Sequence, residues 1–271
     1  MPELPEVETT RRGLERALAG HRIKELRIYD RRLRWPIEEH LPQQLAGQRA
    51  TAVGRRAKYL LLSLDHGTLI LHLGMSGSLR VLHAGAPRLK HDQFDLAFDS
   101  GLDLRFNDPR RFGSLHYTQE DPGQHRLLRS LAPEPFDAAF DTDYLWRITR
   151  RRRAAIKQVL MNGRLVTGVG NIYASEALFR ARINPRRAAR RLTRQECARL
   201  VRAVRAALNA AIRAGGTSLR NYVGADGNAG EFRQKLYVYE RAGKPCRVCR
   251  TPIRKITQGA RSTYFCPHDQ R

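Results

Sequence analysis

The sequence predicts an α+β chain: a leading helix and an antiparallel β-sandwich lobe, then a hinge, then a helical lobe ending in a cysteine-bearing β-hairpin. Three observations carry this. Apolar residues recur at helical spacing only at the start and beyond residue 144. Between these stretches lie short β-like runs with no helix-length segment separating most of them, which favours an antiparallel sandwich over parallel βαβ units. Three of the four cysteines fall in the last 26 residues.

The elements follow in order. Leu4, Val7, Leu14, Ala17 and Leu18 keep helical spacing, Pro5 falls in the first turn and Gly20 marks the stop. Strands are expected at Arg22–Tyr29, Thr51–Arg55, Tyr59–Leu64, Thr68–Leu73, Leu79–Leu82, Phe94–Phe98, Leu102–Phe106 and Ser114–Tyr117. Asp65-His66-Gly67 and Asp99-Ser100-Gly101 read as hairpin turns. Residues 131–143, with Ala132-Pro133-Glu134-Pro135, break every periodicity and read as a linker. Beyond it Tyr144–Met161, Ile172–Ala181 and Thr193–Ala214 read as helices, the last opened by a capping box of Thr193 and Glu196. The division is therefore 1–130, 131–143, 144–225 and 226–271.

Fifty Lys and Arg against 26 acidic residues give a net charge of +24, which points to a polyanionic partner, nucleic acid first; arginine enrichment alone would give a similar composition. The most apolar run, Tyr59–Leu64, is too short to span a bilayer, and the N-terminus lacks a signal-peptide pattern, so a cytoplasmic protein is expected. Clustered cysteines suit a metal site in a reducing medium better than disulfides. Cys246-x2-Cys249 is followed after sixteen residues by Cys266, and Asp269 stands where a fourth thiolate would fall. Zinc accepts such a set, with His268 as an alternative fourth ligand. The stretch Thr251–Phe265 reads as a zinc-finger-type β-hairpin, two strands around Gln258-Gly259-Ala260-Arg261, with Arg261 at its tip, either a solvated charge or a probe of a DNA groove or strained phosphate.

Met1 before Pro2 is normally removed, leaving a secondary α-amine. With an ordinary pKa of about 7.7–8 such an amine is partly unprotonated at neutral pH and can attack a sugar C1′. Glu3 beside it could move the proton that opens the ring, and Glu6 shares the helix face at i,i+3. Prolines and glutamates also simply favour the first helical turn.

The start Pro2-Glu3-Leu4-Pro5-Glu6-Val7-Glu8-Thr9 resembles the opening of the bacterial formamidopyrimidine-DNA glycosylases. Further motifs match in order: Arg56-Ala57-Lys58-Tyr59-Leu60, His72-Leu73-Gly74-Met75-Ser76-Gly77, Lys90-His91-Asp92, Asp108-Pro109-Arg110-Arg111-Phe112-Gly113, Gly168-Val169-Gly170-Asn171-Ile172-Tyr173-Ala174 and the finger. The resemblance implies a helix-two-turn-helix lobe, a structural zinc ion and monomeric action on double-stranded DNA carrying 8-oxoguanine or formamidopyrimidines. It implies that Pro2 forms the Schiff base, Glu3 donates a proton, Lys58 assists β-elimination and Arg261 δ-elimination. It further implies that Met75, Arg110 and Phe112 fill the gap left by an everted nucleotide, with Arg110 on the orphaned cytosine. His91, Arg152, Lys157 and Asn171 would grip phosphates, and Gly216–Phe232 would close over the lesion. Endonuclease VIII type enzymes typically begin proline-glutamate-glycine, whereas Leu4 stands here. A noncatalytic zinc-finger protein would need neither Pro2, Glu3 nor Lys58.

Overall fold

The computed structural model describes residues 2–216 and 235–271. The chain divides into two compact units, one built from residues up to Arg129 together with 214–216, the other from Ser130–Arg213 and 235–271.

The first unit opens with α1 (Leu4–Leu18), whose buried face carries Leu4, Val7, Leu14 and Leu18 at the expected spacing. Eight strands follow: β1 (Ile23–Ile28), β2 (Ala50–Arg56), β3 (Tyr59–Leu64), β4 (Thr68–His72), β5 (Ser78–His83), β6 (Asp92–Phe98), β7 (Leu102–Asn107) and β8 (Ser114–Thr118). They form two antiparallel four-stranded sheets, ordered β1-β6-β7-β5 and β2-β3-β4-β8. Both predicted hairpin turns are present, joining β3 to β4 and β6 to β7. Leu60, Leu62, Leu69 and Leu71 of one sheet share a core with Phe94, Leu96, Leu104 and Phe106 of the other, and α1 adds Val7, Leu14 and Leu18. Each such side chain removed from water contributes about 1.5–3 kcal/mol, so the shared core holds the sheets together. A five-residue helix, α2 (Leu41–Leu45), was not expected.

The second unit contains α3 (Thr142–Thr149), α4 (Ile156–Leu160), α5 (Asn171–Arg180) and α6 (Arg194–Arg213), then the hairpin β9 (Arg254–Gln258) and β10 (Arg261–Phe265). The α+β architecture expected from sequence is the one observed. The single helix expected over Tyr144–Met161 is corrected to two. Asp141 caps α3, accepting the Tyr144 N–H at 2.7 Å, so that helix starts inside the presumed linker. It stops at Thr149 because the next residues pair elsewhere: the Arg190 N–H donates to Arg152 O, Ala189 N–H to Ala154 O and Ile156 N–H to Arg187 O. The predicted capping box of α6 is present, with Glu196 N–H on Thr193 Oγ1 at 3.2 Å and Thr193 N–H on a Glu196 oxygen at 2.8 Å. Among the described residues no helix is long and apolar enough to cross a membrane.

Candidate active site, exposed loops and metal centre

At the head of α1, Pro2 and Glu3 are buried and Glu3 is extended (φ −106°, ψ −174°), acting as the N-cap. The Glu6 carboxylate accepts the Glu3 N–H at 2.8 Å, which fixes the backbone on which Pro2 sits. Glu6 is fully buried, and Thr10 Oγ1 bonds its carbonyl at 3.0 Å. Gly216 (φ 86°) passes so close that a Cβ there would lie 3.2 Å from Glu6 Cγ. The predicted lesion-closing segment beyond it, 217–232, lies outside the described residues, as does Met1.

Lys58 occupies the two-residue turn Ala57-Lys58 closed by the Arg56–Tyr59 pair, with Ala57 in the left-handed region (φ 56°). This turn is tied to α1: Glu8 accepts Arg55 Nε at 3.1 Å, and Arg55 Nη1 donates to Ala57 O at 2.8 Å. Glu8 stays below the usual carboxylate range; burial would raise it, but Arg12, Arg11 and Arg55 outweigh that. Beside the turn, His72 falls to about 4 through burial and then the charges of Lys58 and Arg34, so it is neutral and its Nδ1 accepts the Gly74 N–H at 3.1 Å.

Met75, His91, Arg110 and Phe112 stand on three loops that are joined beneath them. Met75 and Phe112 are 39% and 43% exposed, large for apolar side chains, while Asp108 below them is fully buried. The Asp108 carboxylate accepts Ser76 Oγ at 2.6 Å, Gly113 N–H at 2.8 Å and Arg110 N–H at 3.2 Å. Gly74 (φ 68°) approaches the second loop so closely that a Cβ would fall 2.4 Å from the Phe112 carbonyl carbon. Gln93 Nε2 donates to both His91 O and Asp108 O at 3.1 Å, bringing in the third loop. The Arg110 guanidinium lies 4.9 Å from the Phe112 ring centroid.

In the second unit Lys157 is buried, and its Nζ bonds Asn171 Oδ1 at 2.6 Å, Thr263 Oγ1 at 2.7 Å and Ser262 O at 3.2 Å. Asn171 opens α5 and also donates to Ser262 O at 3.0 Å, so α4, α5 and β10 meet here. Arg152 sits at the break after α3, half-buried, with Nη1 on Ile148 O at 2.9 Å. Arg261 is exposed as the first residue of β10; the turn itself is Gly259-Ala260, both left-handed (φ 54° and 58°), as a two-residue hairpin requires. Sequence reasoning missed Glu176 of α5, whose buried carboxylate accepts the N–H groups of Val238, Tyr237 and Tyr239 at 2.9, 2.9 and 3.0 Å. It also gave no role to Asp108 and Ser76, although both stand in the quoted motifs, nor to Gln93 of β6.

Cys246, Cys249, Cys266 and Asp269 bring one ligand atom each to within 4.8 Å of one another. Cys246 Sγ lies 3.2 Å from Asp269 Oδ2, and Cys249 Sγ 3.4 Å from Cys266 Sγ. Zinc bond lengths give tetrahedral edges of roughly 3.3–3.8 Å, so the cluster could bind one metal ion. The thiols, Cys249 first, hold Asp269 at about 2, leaving it anionic and suited to a cation. Aspartate thus replaces the fourth cysteine, and His268, largely exposed, is outside the cluster.

A β-sandwich unit that exposes Met75 and Phe112 and an arginine-rich helical unit that ends in four candidate metal ligands are features of the class of zinc-finger DNA glycosylases. The chain matches the formamidopyrimidine-DNA glycosylase N-terminal domain over residues 1–115, the H2TH domain of the same enzymes over 131–223, and the zinc finger found in FPG and IleRS over 243–271. It is 56% identical to the formamidopyrimidine-DNA glycosylase of Thioalkalivibrio sulfidiphilus and 52% identical to that of Methylococcus capsulatus, each over the full length of both chains. The crystal structure of the Thermus thermophilus protein superposes with TM-score 0.89 at 39% identity, covering 99% of this chain and 98% of that one. That of Lactococcus lactis Fpg with DNA containing an abasic site gives 0.92 at 33%, covering all of both. The chain belongs to the formamidopyrimidine-DNA glycosylase family.

Proposed function

We infer that this chain is a base-excision-repair enzyme, a bifunctional glycosylase and abasic-site lyase for oxidised purines in double-stranded DNA, with Pro2 as nucleophile. The observation that carries the reading is the built N-terminus: a buried proline–glutamate pair held by the Glu6 carboxylate at 2.8 Å. A secondary amine fixed at the head of a helix can attack C1′ as the base departs, and a neighbouring carboxylic acid can protonate the ring oxygen as the sugar opens. The resulting iminium acidifies C2′, so loss of that proton expels the 3′ phosphate. A second elimination expels the 5′ phosphate, and water releases the sugar fragment and restores the amine. Glu3 is the proton donor, Glu6 the group that orients it, Lys58 assists the first elimination and Arg261 the second. Met75, Arg110 and Phe112 replace the everted nucleotide in the stack, which costs a few kcal/mol to open. His91, Arg152 and Asn171 hold backbone phosphates, and buried Lys157 acts through Asn171. Bound zinc would supply no chemistry, only rigidity to the finger that presents Arg261. The enzyme acts as a monomer in the cytoplasm, on the nucleoid.

Borohydride reduction on DNA with 8-oxoguanine opposite cytosine tests this. Demethionylated protein should be trapped covalently through Pro2, whereas protein retaining Met1, in which Pro2 is an amide, should bind and not be trapped. Absence of a trapped species with the demethionylated protein would refute Pro2 as nucleophile.

A further inference from the structure

We propose that Asp108 is the positioning residue that sets opposite-base choice, by holding Met75, Arg110 and Phe112 as one preformed wedge. The inference rests on the reading that these three side chains fill the gap and that Arg110 meets the orphaned base. The exposed side chains stand on loops that share one buried anchor. Oδ1 of Asp108 takes Ser76 Oγ from the Met75 loop at 2.6 Å and the Arg110 N–H at 3.2 Å, while Oδ2 takes the Gly113 N–H at 2.8 Å. The Arg110 N–H also reaches Ser76 Oγ at 3.3 Å, and the Arg111 N–H reaches Asp108 O at 3.3 Å. The carboxylate therefore closes the turn from Arg110 to Gly113 and ties it to the neighbouring loop. Arg111 (φ 56°) takes a backbone conformation that a non-glycine residue adopts only when its surroundings impose it. The Arg34 N–H on Gly113 O at 3.0 Å holds the far end of the turn. A planar guanidinium discriminates bases only if its direction is fixed before it meets them, because hydrogen-bond specificity is lost with small angular errors. Asp108 lies under the wedge, fully buried, so it acts through Arg110.

The test compares D108A, D108N, S76A and R110A by single-turnover cleavage of 8-oxoguanine opposite cytosine and opposite adenine, each normalised to the enzyme trapped by borohydride on a preformed abasic site. Loss of fold lowers both rates together and leaves their ratio alone, so the ratio reports positioning. D108A should lower the cytosine-to-adenine ratio about tenfold, the scale of one good base contact. D108N, which keeps one acceptor, and S76A, which removes one link, should each lower it by less. If R110A collapses the ratio while D108A and S76A leave it unchanged, positioning by Asp108 is overturned and the wedge stands. If R110A leaves the ratio unchanged, the wedge reading itself fails and this inference falls with it.

Discussion

At the scale of single residues, buried polar groups decide how the segments of the second unit are held together. Glu176 is 1% exposed, and burial pushes its carboxyl up while the N–H groups of Tyr237, Tyr239 and Val238 pull it down. Both oxygens are used, so no position for an amide hydrogen is left that does not face another donor. Glu176→Gln should therefore cost about 1–3 kcal/mol, the penalty for an unpaired buried donor. Urea unfolding of the zinc-loaded protein measures it, and an unchanged midpoint would show that the segment 237–239 is held otherwise. Lys157 follows the same logic. Its ammonium faces Asn171, Ser262 and Thr263, so it fixes the amide of Asn171 at the start of α5.

At the scale of elements, the sheet β1-β6-β7-β5 carries a buried ion cluster that no periodicity announces. Arg105 of β7 bonds Asp95 of β6 through Nε at 2.8 Å and Nη2 at 2.7 Å, and its remaining donors reach Pro87 O and Ala86 O in the loop that leads to His91. Arg105→Met leaves Asp95 charged and buried, and should cost about 3–5 kcal/mol in urea unfolding at pH 7. Burial alone would raise Asp95, but Arg105, Tyr29 and Arg27 hold it below the usual carboxylate range. A carboxyl lowered on folding stabilises the fold above its unfolded pKa, about 3.9, and loses that contribution as pH falls through its folded value. In the variant, without Arg105, burial raises Asp95 instead, so its penalty is relieved as pH falls through that raised value: the difference between wild type and variant should already shrink above about pH 4; a difference that stays constant from pH 7 down to about pH 4 would point to another group. The eight strands and α1 were legible because alternation, helical spacing and turn residues agree with the packing they reach. The break between α3 and α4 was not, since Arg150–Ala155 has good helix formers throughout and only pairing with 187–190 overrides them. α2 is too short to show a period. In the site, Pro2, Glu3, Lys58 and the metal ligands are legible from their chemistry and motifs, whereas Asp108 and Ser76, though they stand in motifs, and Gln93 and Glu176, which do not, gain their importance from burial, which a sequence does not print.

At the scale of the whole molecule, a net charge of +24 makes DNA affinity a function of salt, because each phosphate neutralised releases counterions. The run Arg150–Arg153 lets that dependence be divided among residues. Arg150 is spent internally, bonded to Leu192 O and stacked 4.9 Å from the Trp146 ring. Arg151 and Arg153 are exposed, while Arg152 is half-buried at the turn and oriented by Ile148 O. A charge held in one direction makes a defined phosphate contact; a solvated one contributes only to the general field. Binding to a duplex with an abasic-site analogue, measured from about 50 to 200 mM salt, should fall steeply, and Arg152→Ala should reduce the log–log slope by about 1. Arg151→Ala and Arg153→Ala should each reduce it by less. A flat profile for the wild-type protein would remove the phosphate-gripping roles altogether. Equal slopes for Arg152→Ala and Arg151→Ala would mean that the run acts as an undifferentiated basic surface, with no single arginine placed on the backbone.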